Sequence, residues 1–253
     1  MSGPQREAIT GKELRRVYDL CFTKVGGEEN DDVRYILHGR PRKVTRAVFF
    51  EESTYAIIGT ISRKAARTFC GRVTQCGFPW KDYKTVATWP QACWKAFFTR
   101  LYPPDWPGFD YKEWHRGREK WDAVRHIAEL LAGYQSDHPF QVDFFGGKSR
   151  SADLDHEDVN RLRAKRLRFI GSANSQYVVR NMGGETIKCD RWIQEFFRYF
   201  HTTAPAIKAE LKGLEISLSL FDVVVWAYCE AFVKRVADFR AHFQQLLSEP
   251  TPP

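Results

Sequence analysis

Apolar residues recur at helical spacing along most of the chain, and no run alternates in the way a half-buried strand requires. The clearest helix is 118–134, where Trp121, Val124, Ile127 with Ala128, Leu131 and Tyr134 share one face and Gly133 loosens the end. Residues 12–22 place Leu14, Val17, Tyr18 and Cys21 together, and Ile193, Phe196, Phe197 and Phe200 mark a strongly amphipathic helix after Asp190. Residues 50–70 read as one helix or two, with Ile57, Ile58 and Ile61 followed by Ala65 and Ala66 and an end near Gly71. A short aromatic helix is expected at 91–100, and one or two more over 217–247. The fold class this predicts is all-α.

Breakers divide the pattern. Residues 26–32 read as a loop, 77–90 cannot be one helix because of Gly77, Pro79 and Pro90, and 102–110 reads as a rigid turn. Residues 135–152 are expected to be loop, centred on Gly146 and Gly147. Asp153 or Asp155 then caps a helix with Val159 and Leu162 on its buried side. A tight turn over 167–171 leads to a helix over 173–182, carrying Tyr177, Val178 and Met182 and stopped by Gly183 and Gly184.

Composition narrows the function classes. A chain of 253 residues can bury a core without disulfide staples. Its aromatic content of 15%, with eight Trp, supplies core and some stacking surface. Six scattered cysteines without a Cys-x-x-Cys pair argue against a secreted disulfide scaffold and against a zinc or iron–sulfur site, and fit reduced intracellular thiols. The histidines, among them His115, His126, His138 and His156, lack metal-ligand spacing. The start of the chain is polar, and the most apolar stretch, 216–233, is interrupted by Asp222 and Glu230. The expectation is an intracellular protein, cytoplasmic, nucleoid-associated or nuclear, with no membrane, metal or cofactor requirement.

The net charge of +8 is concentrated. Residues 33–50 (Arg34, Arg40, Arg42, Lys43, Arg46), 61–72 (Arg63, Lys64, Arg67, Arg72) and 161–184 (Arg161, Arg163, Lys165, Arg166, Arg168, Arg180) contain no acid. Together they hold +15, which leaves −7 for the rest. The third stretch contains two helices joined by a glycine-bearing turn, a geometry that lets backbone amides approach a phosphate at a helix N-terminus. Gly171, Ser172, Ala173 and Asn174 stand at that point, with Arg166 and Arg168 before it. An ordinary helix–turn–helix corner accounts for the same fragment. Asp190 follows Gly171 by 19 residues and is a natural N-cap, structural or catalytic.

At these residues the chain resembles the helix-hairpin-helix DNA glycosylase superfamily, the endonuclease III and 8-oxoguanine glycosylase type. There a hairpin of the form L-P-G-V-G-x-K-T-A is followed, one helix later, by V-D-T-H; here residues 168–193 read RFIGSANSQYVVRNMGGETIKCDRWI. Gly171 stands at the second hairpin glycine and Asp190 at the catalytic aspartate. Residues 119–131 (EKWDAVRHIAELL) resemble the helix before the hairpin, and 54–66 (TYAIIGTISRKAA) the early core helix. The likeness covers roughly residues 50–200. Two departures stand out: Phe169 replaces the first hairpin glycine, so the turn is expected to differ in detail, and Ala173 replaces the Schiff-base lysine of bifunctional members. Lys165 and Lys188 are the amines left nearby.

The resemblance implies one helical glycosylase-like unit over 1–253, with a six-helix-type lobe at 50–165, the helix-hairpin-helix at 157–183, and a second lobe from 1–49 with 190–253. It implies a monofunctional enzyme, acting as a monomer on double-stranded DNA, that flips a damaged or modified base and hydrolyses its N-glycosidic bond with Asp190. A carboxylate there stabilises positive charge on the sugar and activates water. Tyr55, Trp192 and Trp226 are candidate pocket walls, and Glu51, Glu52 and Asp222 candidate readers of base edges. The basic clusters are expected to track phosphates along one DNA-facing groove. Two other readings remain open at this point: a non-catalytic helix-hairpin-helix DNA-binding protein, and a helical interaction protein without nucleic acid.

Overall fold

The computed structural model describes residues 9–59, 63–102, 111–233 and 235–250, and the side chains of these except 63–68 and 111–117. Arg63, Lys64 and Arg67 of the second basic stretch, His115, and most of the turn expected at 102–110 lie outside that description. The helices run α1 (Gly11–Lys24), α2 (Asp31–Arg34), α3 (Arg46–Ile58), α4 (Arg63–Gln75) and α5 (Tyr83–Thr88). They continue with α6 (Gln91–Leu101), α7 (Tyr111–Ala132), α8 (Asp137–Phe145), α9 (His156–Ala164) and α10 (Ser172–Asn181). The last four are α11 (Arg191–Tyr199), α12 (Ala204–Lys212), α13 (Leu218–Phe232) and α14 (Phe239–Ser248). The protein is all-α: among the described residues there is no strand, only one antiparallel bridge between Lys43 and Arg150. No described helix is long and apolar enough to cross a membrane.

The chain forms two compact units, a terminal unit of Met1–Arg40 with Gly183–Pro253 and a central unit of Pro41–Met182. In the terminal unit α1 packs on α12, α13 and α14, and α11 packs on α13. Thr10 and Glu13 close a capping box at the start of α1. The core is aromatic: Phe196 lies 4.4 Å from Phe200 and 5.5 Å from Phe221, and Phe239 stacks on Phe243 at 4.2 Å. Burying each such ring contributes about 1.5–3 kcal/mol. The apolar pattern does not mark α12; Thr203 caps it and Pro205 sits in its first turn, where no amide is missed. The loop expected at 26–32 instead holds a 3-10 turn (Gly27–Glu29) and the start of α2, which runs on into a π-helical turn, Tyr35–Gly39.

In the central unit α7 packs against α3 and α5, while α10 packs against α3 and α9. Trp121 of α7 meets Phe78 and Phe97 edge-on, each at 5.1 Å. The 135–152 segment is not a continuous loop. It contains α8, whose Phe140, Phe144 and Phe145 surround Phe49 of α3 at centroid distances of 5.4, 5.1 and 6.0 Å. Pro139 falls in its first turn, where it breaks no helical bond. Asp137, at its first position, accepts from the backbone N–H and Nε of the buried Arg46, whose Nη1 donates to the carbonyl of Tyr134. Arg46 thus joins the end of α7, the start of α8 and the start of α3.

Asp155 caps α9 in a box with Asp158. The Asp158 side chain is fully buried, and the Lys148 ammonium bonds it at 2.7 Å and Asp155 at 3.2 Å. Burial works against ionisation of Asp155, but the Glu157 amide and Lys148 outweigh it and hold the carboxyl below the usual carboxylate range. A carboxyl depressed in the folded state stabilises above its ordinary pKa, about 3.9, and that contribution is lost as pH falls through the folded value. Lys148→Met is therefore expected to cost about 3 kcal/mol near neutral pH, because it strands a buried carboxylate. In urea unfolding the gap to wild type should narrow below about pH 4. A gap that stays constant with pH would mean that Lys148 acts through packing alone.

Candidate nucleic-acid interface and candidate carboxylate

The central unit carries the hairpin. After α9, Arg166 and Phe169 both take the left-handed backbone region, with φ of 52° and 65°. Phe169, standing where the resembled motif has glycine, therefore adopts a conformation that glycine takes without strain and that costs an L side chain about 1–2 kcal/mol. Leu167 and Ile170, on either side, are buried, and the Ile170 amide donates to the Leu167 carbonyl at 3.0 Å. Asn174 closes the turn: its Nδ2 donates to the carbonyls of Phe169 at 2.7 Å and Ala56 at 3.2 Å.

Gly171 is the N-cap of α10 with φ −78°, and a Cβ built there meets nothing within 4 Å. Neither backbone conformation nor packing within the chain requires a glycine. It has no side chain to cap the helix, and the amides of 171–174 find no acceptor among the described residues. Gly171 and Ser172 are exposed, and Ala173 and Asn174 half-buried. Arg166 is exposed, with no acidic partner among the described residues. Arg168 pairs with Glu119 at 3.0 Å and lies over the Phe169 ring at 5.2 Å. Lys165 is engaged elsewhere: its ammonium bonds Asp143 and sits 5.0 Å over the Phe144 ring. Lys165 and the Tyr134 hydroxyl together hold the Asp143 carboxyl below its usual range.

The terminal unit carries Asp190. One carboxylate oxygen, Oδ1, accepts from the amides of Trp192 at 2.9 Å and Ile193 at 3.2 Å, capping α11. Its Oδ2 meets no donor among the described residues, and the side chain is half-buried. The segment leading to it, 184–189, is neither helix nor strand, and side chains of α13 hold it where a neighbouring strand otherwise would. Ser219 Oγ donates to the carbonyls of Gly184 at 2.8 Å and Thr186 at 3.3 Å, and Asp222 Oδ2 accepts the Lys188 amide at 3.0 Å. Asp222 and Ser219 are both buried.

The remaining candidates fall into two groups, one in each unit. On α3, Glu52 is buried and accepts from Asn181 Nδ2 at 3.0 Å, and Glu51 faces Lys81 at 3.5 Å, its carboxyl pushed up by burial. Tyr55 stacks in parallel on Trp80 at 4.3 Å, and its hydroxyl is pushed up to about 12 by burial and by Cys70, Glu51 and Glu52. On α13, Asp222 and the half-buried Trp226 lie one turn apart. Trp192 is a core residue of the terminal unit, 2% exposed, with Nε1 donating to Glu230 at 2.6 Å.

Sequence reasoning missed Ser219, Trp80 and the side-chain role of Asn174. A serine near a helix start, or an asparagine in a first turn, carries no signal of what it will bond across 35 or 118 residues. No family model, curated protein or solved structure matches the chain.

Ser219→Ala should destabilise the terminal unit by about 1–3 kcal/mol, since it removes the hydroxyl proton shared between the Gly184 and Thr186 carbonyls and leaves Gly184 only the Thr186 amide. Hydrogen exchange should show the loss as faster exchange at the Lys188 amide, without matching change in α1. Unaltered exchange there would mean that the segment holds itself.

Proposed function

We propose that this protein is a monofunctional DNA glycosylase of helix-hairpin-helix type, with its two helical units as the lobes of that arrangement. It binds duplex DNA through the α9–α10 hairpin, takes a damaged or modified base out of the stack and hydrolyses its N-glycosidic bond with Asp190. The observation that carries the reading is one chain order: a left-handed turn, a helix opening on four amides without acceptors, and then an aspartate that caps the next helix with one oxygen uncommitted.

Each part has a chemical use. The amides of 171–174, at the positive end of α10, suit a phosphate. The Asp190 Oδ1 bonds orient the carboxylate, and Oδ2 is left to face the developing positive charge on the sugar or to orient water. With Ala173 in the lysine position and Lys165 bound to Asp143, no amine of the hairpin is set up for covalent attack on the sugar, which favours water as the nucleophile. A non-catalytic DNA-binding protein is the second reading, because the two Oδ1 bonds alone give Asp190 a structural role.

Two variants separate these. Asparagine caps a helix as well as aspartate does, so Asp190→Asn should fold normally. It should release base from a panel of alkylated, oxidised and deaminated duplexes at a rate lower by about 10²–10⁴. Full duplex binding with no product from either protein would establish the second reading. Gly171→Ala adds a Cβ that meets open space at an ordinary φ; the entropy it removes from the unfolded chain is offset by alanine being a poorer N-cap, so stability should change by no more than about 1 kcal/mol. Its affinity for duplex should nonetheless fall, and an unchanged affinity would remove the hairpin from the interface.

A further inference from the structure

We infer that the pair Lys43 and Arg150 is a second phosphate-binding point on the central unit, contacting the backbone of the same duplex that the hairpin holds. The inference rests on the duplex-binding part of the proposed function and not on catalysis.

Lys43 and Arg150 are opposite each other in the antiparallel bridge, fixed by the Val44 amide donating to the Ser149 carbonyl at 2.9 Å and the Ser151 amide to the Arg42 carbonyl at 3.2 Å. Val44 and Ser151 are buried, so their neighbours Lys43 and Arg150 are turned outward, and both are exposed. Directly opposed residues hold their Cβ atoms about 4.5–5.5 Å apart, and like charges so placed repel. Neither has an acidic partner among the described residues, nor does the exposed Arg42 beside them. Of the nearby acids, Asp155 and Asp158 bond Lys148 and Asp137 bonds Arg46, while the exposed Asp153, whose amide donates to the Arg150 carbonyl at 3.1 Å, forms no ion pair with either cation. An anion between the two cations relieves the repulsion.

The position of the pair matches the hairpin. It lies just before α9, and the hairpin turn lies just after it. α9 itself spans about 14 Å, and residues 151–155 lead from Arg150 to its start. Between the pair and the turn Arg161 lies against the α8–α9 loop that leads to Arg150: a Cβ on Gly146 would meet its guanidinium at 3.2–3.4 Å. Arg161 is exposed, and the exposed Arg163 and Arg166 follow it along α9 and into the turn, whereas the first turn of α9 carries Glu157 and Asp158 behind the Asp155 cap. A folded polyanion of regular spacing fits this line better than a single small anion does.

The test is the salt dependence of binding to an unmodified labelled duplex, read by fluorescence anisotropy over a KCl series. The double variant Lys43→Ser with Arg150→Ser should lower the slope of log Kd against log salt by about 0.9 for each phosphate it no longer neutralises, up to about 1.8. The charge-matched control Lys208→Ser with Lys212→Ser, exposed on the terminal unit, should leave the slope unchanged. The Tm of the first variant should be no lower than that of wild type, since repulsion is removed. An unchanged slope, an equal drop in the control, or competition by millimolar inorganic phosphate without duplex binding would each overturn the inference. Base release is read separately. Release with an unchanged slope sinks this inference and leaves the proposed function standing, while a reduced slope with no release on any substrate does the reverse.

Discussion

The hairpin turn keeps two side-chain-bearing residues, Arg166 and Phe169, in the left-handed backbone region, and the candidate binding face depends on the contacts that hold them there. The strain is about 1–2 kcal/mol for each. Against it stand the burial of Leu167 and Ile170, at about 1.5–3 kcal/mol per side chain, and the two Asn174 bonds, at about 1 kcal/mol each. The second Asn174 bond goes to Ala56, in α3, so the turn is fastened to the same helix that α10 packs on. A glycine at 169 would relax the backbone and forfeit the ring that lies under Arg168. The turn is thus held by its surroundings and not by local preference, which is why the first hairpin glycine can be absent while the α10 amides stay open.

The terminal unit meets a different backbone requirement. A half-buried stretch outside helix and sheet must still satisfy its N–H and C=O groups. Side chains of α13 meet that requirement for 184–188, with a hydroxyl donating to two carbonyls and a carboxylate accepting an amide. Asp222, expected as a reader of base edges, is committed to this bond through one oxygen and is buried. Its effect on Asp190 is one of position, since the amide it fixes belongs to the residue two before it. Trp226, one turn further along α13, remains half-buried and is the aromatic candidate on this unit that the core does not enclose.

The helices legible in the sequence are those with long apolar stripes. Trp121 through Leu131 and Ile193 through Phe200 each define a face that only one period fits, and both faces are buried. α8 was hidden because Pro139 and the two glycines after it signal a loop, whereas proline in a first turn and glycine past a last turn are what a helix boundary tolerates best. Asp155 and Asp190 were legible as caps because capping is a local bond. Ser219, Asn174 and Trp80 were not, because their partners are distant in the chain or, for Trp80, because the stack on Tyr55 is set by the tertiary packing of α3.

The same distinction between chain and space applies to the charge. Stretches without an acid in sequence do not lack acids in the fold. Arg34 pairs with Asp31, Arg40 with Glu185 and Arg46 with Asp137, so the first basic stretch contributes chiefly Arg42 and Lys43 to an approaching anion. In the third, Lys165 pairs with Asp143, Arg168 with Glu119, and Arg180 is buried. What is left exposed, with no acid among the described residues, is Arg161, Arg163 and Arg166, along α9 and the turn after it. Arg150, outside all three stretches, joins them through the bridge to Lys43. Every one of these residues belongs to the central unit, the one that carries the hairpin. Within the acid-free stretches the charge thus reduces to a few exposed cations, while others, such as Lys208 and Lys212, stand exposed on the terminal unit. Their field falls off within a Debye length, about 8–10 Å in physiological salt, so each acts only on an anion that comes into its own neighbourhood.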